Sequence, residues 1–203
     1  MSRAKKNAFL SAAETERVSA HLALRGGDSS VTLTTSRAVL FVEGETERLV
    51  LRDHSSLAAS AICVLDFGTV GLAPLLRVAD AMEIPWHALV DCDEAGAHYA
   101  ATARDHLRRR VESRHITIAA EPSFEQALWN AGFRASIIHV AQGHGVEFDD
   151  GELASLLRAA RLKVPKPLLV TESIKHARAI DLSHQLPRAM QTAIDAVQLL
   201  SLR

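Results

Sequence analysis

Acidic side chains follow three short apolar segments of this 203-residue chain, in positions that could bind a divalent cation. The acids are Glu43, Asp66 and the pair Asp91 and Asp93, after the apolar runs 38–42, 61–65 and 87–90. Alternation along an extended chain places Asp91 and Asp93 on the same side. Two carboxylates at a strand end suit Mg²⁺, which binds one or two of them, keeps several waters and contacts substrate phosphates.

Glu47 extends this acidic group if a helix begins near Gly44, because it then lies one turn on and faces the same space as Glu43. Gly44 would allow a phosphate to approach the backbone closely. Each acid alone could equally be a helix cap or a favourable charge at a helix start. Together, acids at one sheet edge repel one another unless a cation lies among them.

The apolar runs alternate with segments of helical spacing, which predicts a parallel α/β sheet with helices on both faces. Strands are predicted over 38–42, 61–65, 87–90 and 115–120, and helices over 8–24, 45–60, 72–82 and 95–110. Continuous apolar strands such as 38–42 are typical of burial on both faces. Ligands of such sheets gather at the carboxyl ends of the strands, where these acids lie.

The pattern changes after Ala120. A short helix is predicted over 121–131, a short strand over 136–140, and three helices over 152–162, 167–180 and 187–200. We interpret 1–37 as an N-terminal helix and connector, 38–145 as an α/β core, and 146–203 as a helical extension.

Composition narrows the classes of function. The chain has 23 basic and 24 acidic residues, so nucleic-acid binding needs a local patch rather than an overall basic charge. Two cysteines provide neither a disulfide framework nor a zinc site, and a reducing cytoplasm is the expected location. No stretch is long and apolar enough to predict a membrane span, so no membrane association is expected.

These motifs, in this order, resemble the Toprim domain of topoisomerases, bacterial primases, recombination-mediator proteins and OLD-family (overcoming lysogenization defect) nucleases. Glu43-Gly44-Glu45-Thr46-Glu47 resembles the OLD pattern E-G-x-x-E, and Val90-Asp91-Cys92-Asp93 resembles its aspartate motif. Residues 120–125 resemble the family's segment with a later glutamate, and residues 163–167 resemble its segment with a lysine. The resemblance implies a Toprim-like parallel sheet flanked by helices, with a C-terminal helical extension.

The resemblance further implies a two-metal DNA endonuclease or nickase that uses two divalent cations, Mg²⁺ or Mn²⁺. The implied metal ligands are Glu43, Glu47, Asp91, Asp93, Ser123 and Glu125, and the implied catalytic residues are Glu43, Asp91, Asp93 and Lys166. Glu121 is a rival for Glu125, and Lys163 is a rival for Lys166. A topoisomerase would need a nucleophilic tyrosine, whereas Tyr99 lies within a predicted helix.

A basic stretch near the C-terminus could contact DNA phosphates. The predicted nucleic-acid-binding residues are Arg158, Arg161, Lys163 and Lys166, with Lys175 and Arg178 further along the same stretch. No P-loop motif is present, so the resemblance implies the nuclease half of a larger ATPase–nuclease protein, with an ATPase domain as a partner. Whether the protein forms a homo-oligomer stays open.

Two alternatives compete with the nuclease. A receiver-like phosphoacceptor domain also clusters acids around one Mg²⁺ at strand ends, although its first strand would end in paired aspartates rather than Glu43-Gly44. A non-catalytic Toprim-like module would bind DNA without cutting it. Cleavage of plasmid DNA, labelling by a small phosphodonor, and metal-independent binding separate the three.

Overall fold

The computed structural model describes residues 10–26, 32–148, 151–181 and 185–202. Its centre is a parallel sheet with the strand order β2-β1-β3-β4. The strands are β1 (Ala38–Val42), β2 (Ile62–Asp66), β3 (Trp86–Val90) and β4 (Ile116–Ile118). The predicted parallel α/β sheet flanked by helices is therefore confirmed.

Side chains of each strand alternate between the two helical layers that cover the sheet. In β1, Val39 and Phe41 pack into one buried layer, whereas Leu40 and Val42 pack into the other. The first layer contains α1 (Ala12–Gly26), α4 (Leu72–Ala81) and α5 (Glu94–His106). Burial on both faces accounts for the continuous apolar character of the strands.

The second layer contains the remaining described helices. They are α2 (Glu45–Arg52), α3 (Ser55–Ala59), α6 (Phe124–Leu128), α7 (Arg134–Gly143), α8 (Leu153–Ala160), α9 (Lys166–Ile180) and α10 (Arg188–Ser201). One buried core runs from Leu40 and Val42 of the sheet to Ile174 of α9 and Ile194 of α10. The C-terminal helices thus pack directly on the sheet, and the boundary that we placed at residue 145 stays a prediction.

Short segments complete the described chain. Residues Leu33–Thr35 and Glu112–Arg114 form 3₁₀ turns, and Trp129–Phe133 forms a π-helical turn that joins α6 to α7. In this turn Gly132 has φ 97°, a conformation that glycine adopts without steric cost. None of the described helices is long and apolar enough to cross a membrane.

Two of the predicted elements are wrong in detail. The strand over 136–140 is instead part of α7, because Ile137, Val140 and Ala141 are buried at helical spacing. A five-residue apolar run does not distinguish a strand from a buried helix segment. The helix over 45–60 is two helices, since α2 ends at Arg52 and α3 begins at Ser55.

Asp66 is set apart from the other strand-end acids by its partners. Its Oδ1 lies 3.1 Å from the Nε atoms of Arg25 and Arg48, and the side chains of Asp66 and Arg48 are almost fully buried. Arginine charge therefore balances this carboxylate, and Asp66 acts as a structural ion-pair centre that joins β2 to α1 and α2. The expectation that acids from all three strands would concentrate uncompensated charge is wrong for Asp66.

We expect Asp66→Asn to lower the free energy of unfolding by about 3 kcal/mol, because it removes the buried carboxylate that Arg25 and Arg48 share and leaves them the more exposed Glu45. Urea denaturation measures this change. The control is Asp53→Asn, which removes an exposed carboxylate 3.6 Å from Arg52, and we expect it to cost less than about 1 kcal/mol. Equal effects of the two substitutions would contradict the structural role of Asp66.

Candidate metal centre

Five carboxylates from separate segments come together at the carboxyl edge of the sheet. Glu43 follows β1, Glu47 lies in the first turn of α2, Asp91 and Asp93 follow β3, and Glu125 lies in α6. β1 and β3 are paired neighbours in the sheet, so the segments that follow them leave from adjacent positions. The topology thus places residues far apart in sequence at one edge.

A close backbone approach positions Glu47. Gly44 is the N-cap of α2, and a Cβ atom built on it would lie 2.8 Å from Oε2 of Glu47. A side chain at position 44 would therefore push the carboxylate away. Glu47 also lies in the first helical turn, where the helix dipole favours a negative charge.

A second close approach of the backbone positions the two aspartates. Asp93 caps α5, because its Oδ1 accepts a hydrogen bond of 2.7 Å from the backbone N–H of Gly96. A Cβ atom on Gly96 would lie 2.0 Å from the carbonyl oxygen of Asp91, so only glycine fits there. Asp93 therefore is a helix cap, which is one of the structural roles that its position also predicted. Its second carboxylate oxygen does not take part in the cap.

The proximity of these acids and their burial shift their pKa values. Burial, followed by the charges of Glu125 and Glu43, raises the pKa of Glu47 to about 7. Burial also raises the pKa of Asp91 to about 7, and all four of the other carboxylates contribute to that rise. Burial and the charge of Asp93 raise the pKa of Glu43. The site thus holds more negative charge than its surroundings accommodate.

Lys166 is the cation that the structure places against this cluster. Its Nζ lies 3.0 Å from Oε1 of the buried Glu125, so the two groups form an ion pair. Its charge also acts on Glu43 and Glu47 and partly offsets the rise in their pKa values. Lys163 is exposed in the turn after α8, so the geometry favours Lys166 over this rival.

The geometry also favours Glu125 over Glu121. Glu125 is 3% exposed and contributes to the raised pKa values of Glu47 and Asp91. Glu121 contributes its backbone instead, since its carbonyl accepts a hydrogen bond of 3.1 Å from the N–H of Cys92. Ser123 caps α6 by accepting from the N–H of Gln126 at 3.2 Å, so its hydroxyl fixes the helix that carries Glu125.

An apolar wall behind the acids was not predicted from the sequence. A cavity of about 20 Å³ is bounded by Glu43, Glu47 and Asp91 on one side and by Phe124 of α6 and Met190 of α10 on the other. Apolar side chains in this lining limit the access of water to the carboxylates, which agrees with the burial that raises their pKa values. No sequence signal near Met190 indicates this contact, because α10 is almost one hundred residues beyond Asp91.

Other predicted residues lie apart from the acids. Tyr99 packs against Phe67 in the opposite layer, with ring centroids 4.8 Å apart, so it is a core residue rather than a nucleophile. Arg158 on α8 and Arg161 just after it are exposed. Of the predicted basic stretch, Lys166 is the residue that the structure brings into contact with the cluster.

The donor set fits a hard divalent cation. Carboxylate oxygens are the ligands that Mg²⁺ and Mn²⁺ prefer, and Oε2 of Glu43 is buried with no hydrogen-bond partner in the described part of the chain. Across the described residues, no three His, Cys, Asp or Glu side chains already surround a common point as metal ligands do. Cation binding would therefore require the carboxylates to draw closer than they are here.

Comparison with known families agrees with this geometry. Residues 35–93 match the family model of the "Overcoming lysogenization defect protein-like, TOPRIM domain". The chain contains an OLD-like Toprim domain. The matched segment includes Glu43, Glu47, Asp91 and Asp93, so most of the acid cluster lies within this domain.

Individual proteins are similar to this chain in sequence or in fold. The chain is 36% identical over 140 residues to the uncharacterized protein YbjD of Escherichia coli strain K12; this alignment covers 66% of the chain and 25% of YbjD. The fold is similar to the C-terminal regions of the OLD proteins of Burkholderia pseudomallei and Xanthomonas campestris pv. campestris, with TM-scores of 0.52 and 0.54. Each of the two structures is 17% identical in sequence to this chain. Each alignment covers 82% of this chain, together with 98% of the Burkholderia structure and 97% of the Xanthomonas structure.

We expect Glu47→Gln to stabilise the metal-free OLD-like Toprim domain at alkaline pH. A folded pKa raised from 4.5 to about 7 means that Glu47 is neutral and costs no stability below pH 4.5, that its penalty grows as the pH rises from 4.5 to 7, and that the penalty is fully present above pH 7. The melting temperature of the variant in EDTA should exceed that of the parent by roughly 3–6 °C at pH 8 and by much less at pH 5.

The matched control for this experiment is Glu94→Gln, which changes an exposed carboxylate in the first turn of α5. We expect little change in its melting temperature at either pH. A Glu47→Gln variant that is less stable than the parent at pH 8 without metal would show that repulsion does not dominate at this position.

Proposed function

We propose that the chain is a metal-dependent DNA endonuclease or nickase that hydrolyses phosphodiester bonds by a two-metal mechanism. The observation that carries this proposal is the convergence of five carboxylates and one lysine at the carboxyl edge of an OLD-like Toprim sheet. A charged cluster of this kind is costly to bury, and a divalent cation with a bound phosphate offsets that cost.

Two Mg²⁺ or Mn²⁺ ions would be held by Glu43, Glu47, Asp91, Asp93, Ser123 and Glu125, with Ser123 as the lesser donor. Bound divalent cations lower the pKa of water and neutralise the charge of the reacting phosphate. The carboxylates of this chain supply the negative potential that holds the cations. The absence of side chains at Gly44 and Gly96 leaves room for the Glu47 carboxylate and for the backbone of Asp91.

Lys166 has a different role in this proposal. Its ammonium group lies at the boundary between the buried acids and solvent, because the Lys166 side chain is 58% exposed and that of Glu125 is 4% exposed. A cation at this boundary can approach the phosphoryl group and stabilise the negative charge that develops during hydrolysis. Glu125 orients the ammonium group before the substrate binds.

DNA is the proposed partner, with phosphate contacts from the predicted stretch of Arg158, Arg161, Lys163 and Lys166. The chain spans about a quarter of the length of YbjD. We therefore also propose an ATPase domain elsewhere in the full-length protein, self-association and a cytoplasmic location. The described cysteines, Cys63 and Cys92, are free thiols, which agrees with a reducing compartment.

We expect Asp91→Asn to reduce plasmid nicking in Mg²⁺ or Mn²⁺ by a factor of about 100 or more, since it removes a central carboxylate of the site. Agarose gels of supercoiled plasmid measure the rate. The control, Glu94→Gln, should cut at the parental rate. If Asp91→Asn cuts as fast as the parent, the site assignment is wrong; plasmid bound but not cut by the parent would favour a non-catalytic module.

We expect Lys166→Met to slow cleavage by about 100-fold while DNA affinity changes by less than about threefold, because one removed phosphate contact weakens binding only slightly. The matched control is Lys163→Met, which removes the same charge three residues away and should retain the parental cleavage rate. The cleavage rate at saturating DNA separates the two variants. A larger loss with Lys163→Met than with Lys166→Met would reverse the assignment of the two lysines.

A further inference from the structure

A groove of about 470 Å³ lies between α2 and α9, on the outside of the acid cluster. Leu49 and Val50 of α2 and Leu168 and Ile174 of α9 contribute apolar surface to it. Leu168 is 41% exposed, so part of this apolar surface is open to solvent. The groove is large enough to hold part of a nucleotide chain.

Three cationic and two acidic side chains line the groove. Arg52, Lys175 and Arg178 line it, and Lys175 and Arg178 are exposed. Its acidic residues are compensated, because Glu45 lies 2.8 Å from Arg25 and Asp53 lies 3.6 Å from Arg52. The resulting surplus of positive charge lies on α9, next to an apolar floor.

The groove begins beside the acid cluster and leads away from it. Pro165 and Pro167, the neighbours of Lys166, line one end, and Arg178 lines the other. From Lys166 to Arg178 the helix rises by about 18 Å, at 1.5 Å per residue, which corresponds to roughly five nucleotide steps of a B-form strand. A strand whose phosphate lies at Lys166 could therefore continue along this rim.

We propose that the groove between α2 and α9 holds the DNA strand next to the scissile phosphate, an inference that rests on the proposed nuclease function. Lys175 and Arg178 bind successive phosphates, and Leu49, Leu168 and Ile174 contact sugars and bases. Phosphate contacts of this kind position the strand without reading its sequence. Of the basic stretch predicted from the sequence, this path uses the part on α9 and leaves aside Arg158 and Arg161 on and after α8.

The test is the salt dependence of binding to a fluorescein-labelled DNA duplex and to its single strand, with Ca²⁺ in place of Mg²⁺. For Lys175→Ala/Arg178→Ala we expect about tenfold weaker binding and a salt slope smaller by about two, because two phosphate contacts are lost. Lys175→Gln alone should lower the slope by about one. The charge-matched control is Arg104→Ala/Arg109→Ala, on and after α5 in the opposite layer, which should leave the slope unchanged.

The outcomes separate this inference from the nuclease proposal. The groove is not the strand path if the Lys175→Ala/Arg178→Ala variant keeps the parental affinity and salt slope. The same holds if only Arg158→Ala/Arg161→Ala reduces the slope. Neither result would contradict the nuclease function. A parent that neither binds nor cuts DNA would overturn both. The rise in melting temperature on adding Mn²⁺ should be the same in the groove variant and the parent, since the groove lies outside the carboxylate cluster.

Discussion

Repulsion among carboxylates that are partly buried at one sheet edge is the constraint on which the rest of this structure depends. Isolated acids in such positions would be hydrated, but the wall formed by Phe124 and Met190 keeps water away from Glu47 and Asp91. The fold tolerates this charge because a large core packs both faces of the sheet and because Lys166 supplies one compensating charge. A site arranged in this way has a strong preference for cations before any substrate is present.

The strand-end acids of this chain differ in the charge of the side chains around them, and this difference distinguishes the acid cluster from Asp66. Asp66 and Glu43 follow or end neighbouring strands, yet Asp66 is surrounded by Arg25 and Arg48 whereas Glu43 faces other acids. The difference arises from α1 and α2, which bring arginines to one position and a glutamate to the other. The type of residue at a strand end is therefore not enough to assign a function; the charge of the segments packed against it decides.

The sequence allowed the sheet and the main acids to be predicted, since both depend on local features. Continuous apolar runs identified β1, β2 and β3, and E-G-x-x-E placed Glu43 and Glu47 around the start of α2. The strand over 136–140 was wrong because a five-residue apolar run carries no periodicity that separates helix from strand. Three features depend on long-range packing, which no single position of the sequence encodes. They are the choice of Glu125 over Glu121, the contact between Lys166 and Glu125, and the wall at Met190.

The segment that matches the Toprim family does not complete the site by itself. It ends at residue 93, whereas Glu125, Lys166 and Met190 come from later helices. Those helices share one buried core with the strands, so their packing fixes both the compensating cation and the exclusion of water from the acids. α9 has a second consequence, because the same helix that begins at Lys166 continues along the basic rim to Arg178. One helix thus contributes both to the charge balance of the buried cluster and to the basic rim of the groove, and a change in its packing would alter both together.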